Sequence, residues 1–138
     1  MSVQFGSLNI WAILVCILSN MIIGALWYSP LLFGNIWLKL VGKKTEDISK
    51  DDANRSMMLS IIPAALSVLF LALLLSMIKL NTILDAVLIG SIVSIGFNGM
   101  GALNLVFFED RSLKLTILNV GYSFVSLNIA AIILSVWK

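Results

Sequence analysis

Four long apolar stretches, separated by short charged segments, constrain this 138-residue chain more than any other feature. Each is long enough to cross a hydrocarbon core as an α-helix, which takes roughly 20 residues. Only 12% of the residues are charged, about half the share of a soluble domain. The pattern predicts an all-α fold, with one integral membrane domain over residues 1–138 and four transmembrane helices. The predicted spans are about 8–28, 57–78, 83–108 and 113–137.

The segment after the first span is predicted to form a short interfacial helix over about 30–41. Pro30 disfavours helix at the residue before it, so the first span should stop there. Ser29 and Pro30 then suit the N-cap and first position of a new helix. Its apolar face and its opposing lysines are typical of a helix lying in the headgroup layer, as an anchor or as a lid or docking surface. The interfacial motif comprises Trp27, Tyr28, Ser29, Pro30, Phe33, Gly34 and Trp37.

Local signals mark the start of two later helices. Ser49 and Thr82 each stand three residues before an aspartate, which is the spacing of a capping box. The helix that starts near Ser49 is predicted to enter the membrane near Met57 and to bend at Pro63.

Polar and small residues recur at steps of four within each span, and such residues share one helix face. In lipid, helices associate through close contacts of small residues and hydrogen bonds between polar side chains. The stripes therefore predict one compact bundle with Asn20 and Asn98 near the midplane. The alternative is that the polar residues line a pathway or a small ligand site. The candidate residues are Asn20, Gly24, Ser94, Asn98, Asn119, Tyr122 and Asn128.

Residue types needed for common chemistry are scarce. Histidine is absent, which excludes His-ligated metals and Ser-His-Asp triads. The single cysteine, Cys16, has no partner for an internal disulfide. Glu109 and Asp110 lie next to Arg111 in a turn and are interpreted as loop charges. We therefore expect no enzyme activity, no cofactor, no metal and, at a net charge of +2, no nucleic-acid partner.

Two stretches closely resemble a bacterial family of small membrane proteins that is known only as domain of unknown function seventeen sixty-one. One is residues 24–34 (GALWYSPLLFG) with the following Trp37, and the other is residues 107–115 (FFEDRSLKL) with 119–122 (NVGY). The resemblance covers nearly the whole chain. It implies a four-span bacterial membrane protein and implies no activity.

Two function classes fit these features. The first is a non-enzymatic structural or accessory protein in the lipid bilayer, acting as a homo-oligomer or as a small subunit of a membrane complex. The alternative is a passive channel or small-solute carrier lined by the intramembrane asparagines. Ion-coupled transport is disfavoured, because no span carries an ionisable residue at its middle.

The distribution of basic residues predicts the orientation. Of the nine lysines and arginines, seven lie in the loops after the first and third spans. Loops rich in lysine and arginine stay in the cytoplasm, so both termini should lie outside the bacterial plasma membrane.

A cysteine introduced by Lys44→Cys should then resist a membrane-impermeant thiol reagent in intact cells. Ready labelling at this position would reverse the predicted topology.

Overall fold

The computed structural model describes residues 5–138, and every regular element in that range is helical. Four helices are long and apolar enough to cross a membrane, as the sequence predicts. The third of them is continuous from Ile83 to Glu109 but contains a π-helical stretch. The elements are α1 (Ile10–Trp27), α2 (Gly34–Val41), α3 (Lys50–Met77), α4 (Ile83–Ser91), a π-helical segment (Ile92–Gly99), α5 (Met100–Glu109) and α6 (Leu113–Val136).

Side-chain caps begin the helices at the predicted places. Thr82 and Asp85 form a complete capping box at the start of α4. Ser49 caps α3 by accepting from the backbone N–H of Asp52 at 3.1 Å. Its hydroxyl also donates to the Asp52 carboxylate at 2.7 Å, so Ser49 and Asp52 are joined by two hydrogen bonds. These caps satisfy N–H groups that have no partner within the helix.

Helix α6 occupies the centre of the bundle, because it packs against each of the other three long helices. Its most extensive neighbours are α1 and α4, and α1 also packs against α3. The order of helices along the chain therefore differs from their order in space.

The packed core lies in the half of the bundle nearest the two termini. It is formed by the first half of α1, the end of α3, the start of α4 and the second half of α6. These segments meet because successive spans run in opposite directions. Small residues are prominent among them, and they let membrane helices approach closely. The buried apolar residues are Ala12, Ile13, Cys16, Val68, Leu71, Ala72, Leu75, Ala86, Leu127, Ala130 and Ala131.

The opposite half, on the side of the basic loops, is open. Every residue of α3 from Lys50 to Pro63 is exposed, and the first half-buried position is Ala64. Pro63 lies at this boundary. Proline inside a helix removes one hydrogen bond and crowds the preceding turn, which bends the helix. The first half of α3 thus stands away from the bundle that its second half joins.

The short helix after the first span begins about one turn later than predicted. Helix α2 starts at Gly34, and Pro30 lies in the turn that precedes it. That turn is held by backbone hydrogen bonds from Phe33 N–H to the Trp27 carbonyl at 3.0 Å and from Gly34 N–H to the Ser29 carbonyl at 2.8 Å. The Ser29 hydroxyl donates back to the Leu26 carbonyl at 2.6 Å, so Ser29 closes the turn after α1 and does not cap a new helix.

The π-helical segment interrupts the polar stripe predicted for the third span. A π-helix bonds each residue to the fifth one along, so a step of four falls short of a full turn. Ser94 and Gly99 are buried as a result, whereas Asn98 is exposed. Asn98 makes no hydrogen bond with Asn20 and donates to Ser123 of α6 at 2.6 Å, so it links two helices although it is exposed. The placement of the two asparagines near the midplane stays a prediction.

Gly34 is predicted to be essential for the turn between α1 and α2. A Cβ atom at this position would lie 2.5 Å from the Tyr28 carbonyl oxygen and 2.6 Å from the Ser29 carbonyl carbon. Gly34→Ala should lower the free energy of unfolding by about 1–3 kcal/mol, since the contacts are backbone atoms that cannot rotate away. Denaturant unfolding in detergent micelles measures this.

Gly96→Ala is the matched control, because its Cβ would meet only the Ile92 side chain, at 3.9 Å. It should be neutral or stabilising by up to about 1 kcal/mol. Equal effects of the two substitutions would contradict the role assigned to Gly34.

Candidate functional site

A cleft of about 910 Å³ opens on the side of the basic loops. It lies between the second half of α1, the first half of α3 and the loop that joins α2 to α3. The cleft exists because α3 stands away from α1 here, and small residues such as Gly24, Ala25 and Ala64 face the gap. Its volume is within the range of ligand pockets, about 300–1,000 Å³.

The lining of the cleft changes character with depth. Charged residues occupy its rim: Lys43, Asp47, Asp52 and Arg55. The rest of the lining combines neutral polar groups with apolar side chains, and Asn20 and Ser60 lie further along their helices into the span. The neutral polar groups are those of Asn20, Tyr28, Ser56, Ser60 and Tyr122. Such a gradient suits a molecule with a charged end and an apolar body.

Five aromatic rings form one cluster beside the cleft. Trp27 packs on Phe33, with ring centroids 4.7 Å apart. Tyr28 packs edge-on against Trp37 at 5.8 Å and against Tyr122 at 5.6 Å. The cluster joins the end of α1 to α2 and to the middle of α6. Edge-on contacts of this kind add stability beyond the area that they bury.

Side-chain hydrogen bonds tie the second half of α1 and its C-cap to α6. The indole of Trp27 donates to the Leu118 carbonyl at 3.1 Å. The Tyr28 hydroxyl donates to Asn119 Oδ1 at 2.8 Å. The Tyr122 hydroxyl lies 3.4 Å from Asn20 Oδ1 and 3.3 Å from the Asn20 carbonyl.

Two glycines make room for these aromatic rings. A Cβ at Gly24 would lie 3.3 Å from the Tyr122 hydroxyl, and one at Gly121 would lie 3.1 Å from the Trp27 ring. Both distances are tighter than ordinary contacts. Each ring therefore fits against a helix surface that has no side chain there.

The structure joins two groups of residues that the sequence presented separately. Asn119 and Tyr122 of the polar stripes contact Tyr28 of the interfacial motif. Asn20 and Gly24 join the same group through Tyr122. Of the remaining motif residues, Phe33 and Trp37 belong to the aromatic cluster, whereas Ser29, Pro30 and Gly34 form the turn.

Asn128 and Ser94 belong to a second, buried polar group between α4 and α6. The Asn128 amide donates to the Phe124 carbonyl at 2.8 Å, and its Oδ1 lies 3.4 Å from the Ser91 hydroxyl. Ser94 donates to the Gly90 carbonyl at 2.7 Å. A Cβ at Gly90 would lie 2.8 Å from Asn128 Oδ1. This group packs two helices together and does not reach the cleft.

Asn98 lies outside both the cleft and the buried polar group. Its Nδ2 donates to Ser123 of α6 at 2.6 Å, yet the side chain is exposed. Asn104, one and a half turns further on, is also exposed. We name as the α5 face the exposed residues that follow the helical period through Asn104, namely Phe97, Gly101, Asn104 and Phe108.

Asn104 is the residue of this face that the polar stripes miss. The stripe through the third span continues from Asn98 to Ala102 at a step of four, and Asn104 falls outside it. The sequence feature that could have identified Asn104 is an uncharged amide within an apolar span. Its exposure depends on the phase of α5, which the π-helical segment sets.

Groups of charged side chains outside the rim are sparse. Glu109 accepts from Arg111 at 2.8 Å in the exposed turn between α5 and α6. Within residues 5–138, no three His, Cys, Asp or Glu residues come together in a way that could hold a metal ion. The polar chemistry of the described bundle is thus that of amides, hydroxyls and rim charges.

Asn20 and Tyr122 are predicted to be energetically coupled, whereas Asn20 and Asn98 are not. Asn20→Leu and Tyr122→Phe each remove one side of the same hydrogen bond. A double-mutant cycle should give a coupling of about 0.6 kcal/mol, and at most roughly 1.7 kcal/mol. The measurement is the free energy of unfolding in lipid bicelles.

The control cycle combines Asn20→Leu with Asn98→Leu. Asn98 has its own partner in Ser123, so the two effects should add within about 0.5 kcal/mol. Strong coupling in this second cycle would mean that the two asparagines meet in the membrane, contrary to the structure.

Comparison with known proteins places the chain in a family. No curated protein and no solved structure matches it. The family model described as "Protein of unknown function (DUF1761)" matches residues 11–135, a range that contains the cleft, the aromatic cluster and nearly all of the four spans. This chain therefore belongs to the DUF1761 family of proteins of unknown function.

Proposed function

We propose that this protein acts without catalysis, as an accessory membrane protein that associates with a second copy of itself through the α5 face. The observation that carries the proposal is Asn104, an exposed amide inside a membrane-spanning helix. Asn104 makes no hydrogen bond within the described residues 5–138. Lipid tails offer such an amide no hydrogen-bond partner, which makes its exposure to hydrocarbon unfavourable.

Asn98 adds a second free group to the same span, on a different side of the helix from Asn104. Its Nδ2 donates to Ser123, but its Oδ1 accepts no hydrogen bond from the part of the chain that the structure describes. Asn98 lies near the middle of the Ile83–Glu109 span, where hydrocarbon surrounds the helix. Asn104 lies about 7.5 Å along the helix axis from Glu109, at a rise of 1.5 Å per residue. It is therefore nearer than Asn98 to the end of the span.

A second copy suits this face because an amide both donates and accepts. In a twofold interface the same patch meets itself, so each asparagine can pair with an asparagine of the other chain. Gly101 lies between the two asparagines, and nothing stands within 4 Å of the place where its Cβ would be. The backbones of two α5 helices can therefore approach closely there.

The channel alternative has less support from the geometry. Asn20 lines the cleft, whereas Asn98 is exposed outside it and donates to Ser123. Asn119 and Asn128 are engaged with Tyr28 and Phe124. The asparagines thus lie on several surfaces, and the half of the bundle near the termini is filled by the apolar core.

The proposed location is the bacterial plasma membrane, with both termini outside. Support comes from the family resemblance and from the basic residues of the two loops that follow the first and third spans. In this orientation the cleft opens towards the cytoplasm.

Asn104→Leu should weaken self-association in membranes. It removes a hydrogen bond from each side of a twofold contact, so the dissociation constant should rise about threefold to tenfold. The measurement is energy transfer between labelled copies reconstituted in phosphatidylcholine vesicles at increasing lipid dilution. The fold itself should not change, since Asn104 has no partner within its own described chain.

Asn54→Leu is the matched control, because Asn54 is equally exposed but precedes the apolar part of α3. It should leave association unchanged. A wild-type protein that stays monomeric at all dilutions would overturn the proposal, as would equal effects of the two substitutions.

A further inference from the structure

The charges at the rim of the cleft are not equally available. Asp47 accepts from the Lys44 backbone N–H at 3.0 Å, and Asp52 accepts from the Ser49 hydroxyl at 2.7 Å. The side chains of Lys43 and Arg55 make no hydrogen bond or ion pair within residues 5–138. The acids are thus occupied by local contacts while the cations are free. Lys43 and Arg55 can therefore each contact an anionic group at the rim.

The floor of the cleft offers a free hydrogen-bond donor. Asn20 is only 5% exposed, and its Oδ1 is occupied by the Tyr122 hydroxyl at 3.4 Å. Its Nδ2 donates to no described group. Every fully inaccessible polar side-chain atom among the described residues has a partner, so this nitrogen must be reached from the cleft that Asn20 lines. A buried donor without a protein partner points to an acceptor on a ligand.

The wall between rim and floor is apolar and lies at membrane depth. It includes Met21 and Ala25 of α1 and Met57 of α3. Ser60, on the same wall, lies 3.9 Å from the Met21 sulfur and marks the level of the floor. Arg55 is about 7.5 Å above Ser60 along α3, at 1.5 Å per residue. A ligand that joins rim to floor is therefore charged at one end and carries an acceptor about 7.5 Å below, roughly one and a half helical turns.

We propose that the cleft binds one phospholipid with an anionic headgroup. The phosphate lies between Lys43 and Arg55, where two cations can each form a charge-assisted hydrogen bond. An ester carbonyl of the glycerol backbone accepts from Asn20 Nδ2. The acyl chains run along Met21, Ala25 and Met57 and continue into the bilayer. Free phosphate would fill the rim alone and leave the amide of Asn20 and the apolar wall without contacts.

The test is native mass spectrometry of the protein taken from vesicles that contain equal amounts of phosphatidylglycerol and phosphatidylcholine. We expect one retained lipid per chain, with phosphatidylglycerol preferred. The double substitution Lys43→Gln and Arg55→Gln should lower that preference about tenfold, the size expected for loss of charge-assisted contacts. Both side chains are at least partly exposed rim residues, so the fold should persist.

The matched control is the double substitution Arg111→Gln and Lys114→Gln. It removes the same charge on the same side of the membrane but outside the cleft. Lipid preference should stay at the wild-type value, since general attraction to an anionic surface is all that this control reduces. Equal losses in the two variants would overturn the proposal and leave only a surface effect.

Further measurements in the same experiment distinguish a bound lipid from free phosphate, and lipid binding from self-association. Asn20→Leu should reduce retention of both lipids, because the ester contact is common to them. Millimolar inorganic phosphate should not displace the lipid, and displacement would instead assign the rim to free phosphate. Asn104→Leu should leave lipid retention unchanged, so failure of self-association and failure of lipid binding are distinguishable. A protein that retains neither lipid, with or without these changes, would refute lipid binding.

Discussion

The contact between α1 and α6 is the interaction on which the rest of the structure depends. Lipid tails are as apolar as the side chains of the helices, so burying those side chains between helices gives no hydrophobic stabilisation. Helices in a bilayer therefore hold together through close packing and polar contacts. Tyr122 fits against the bare surface of Gly24 and reaches Asn20, and Trp27 fits against Gly121 in return. Because α6 also packs against α3 and α4, the position of every other span follows from this seam.

The two ends of the bundle differ because the seam supports them differently. Near the termini, short side chains such as Ala12, Ala130 and Ala131 let all four spans meet. On the basic side, the aromatic rings hold α1, α2 and α6 together, but α3 leaves the bundle before Pro63. One end is therefore a packed core and the other a cleft. A cleft framed by aromatic contacts on one wall and by the exposed first half of α3 on the other can admit a ligand without disturbing the core.

The polar groups of the spans fall into three kinds by their surroundings. The Asn128 group is satisfied inside the bundle, where it fixes α4 against α6. Asn20 has one free donor that faces the cleft, and Asn104 has a free amide that faces outward. An asparagine in these spans thus packs two helices together, contacts a ligand or contacts a second copy of the chain, depending on what surrounds it. Unpaired amides are costly in hydrocarbon, so the free ones indicate where something else binds.

The sequence by itself determined that the helices suit a lipid bilayer, how many spans there are and approximately where they begin and end. It also determined the caps at Ser49 and Thr82. Length, hydropathy and capping are properties of local segments, so they can be read without the tertiary structure. The sequence also singled out residues 24–34 and Tyr122 as distinctive. Only the tertiary structure decided that these meet, that Gly34 and not Pro30 begins α2, and that Asn98 and Asn104 face outward. The reason is that a turn's hydrogen bonds and a π-helical change of phase depend on neighbouring elements. A step of four along the sequence identifies one face only where the helix stays regular.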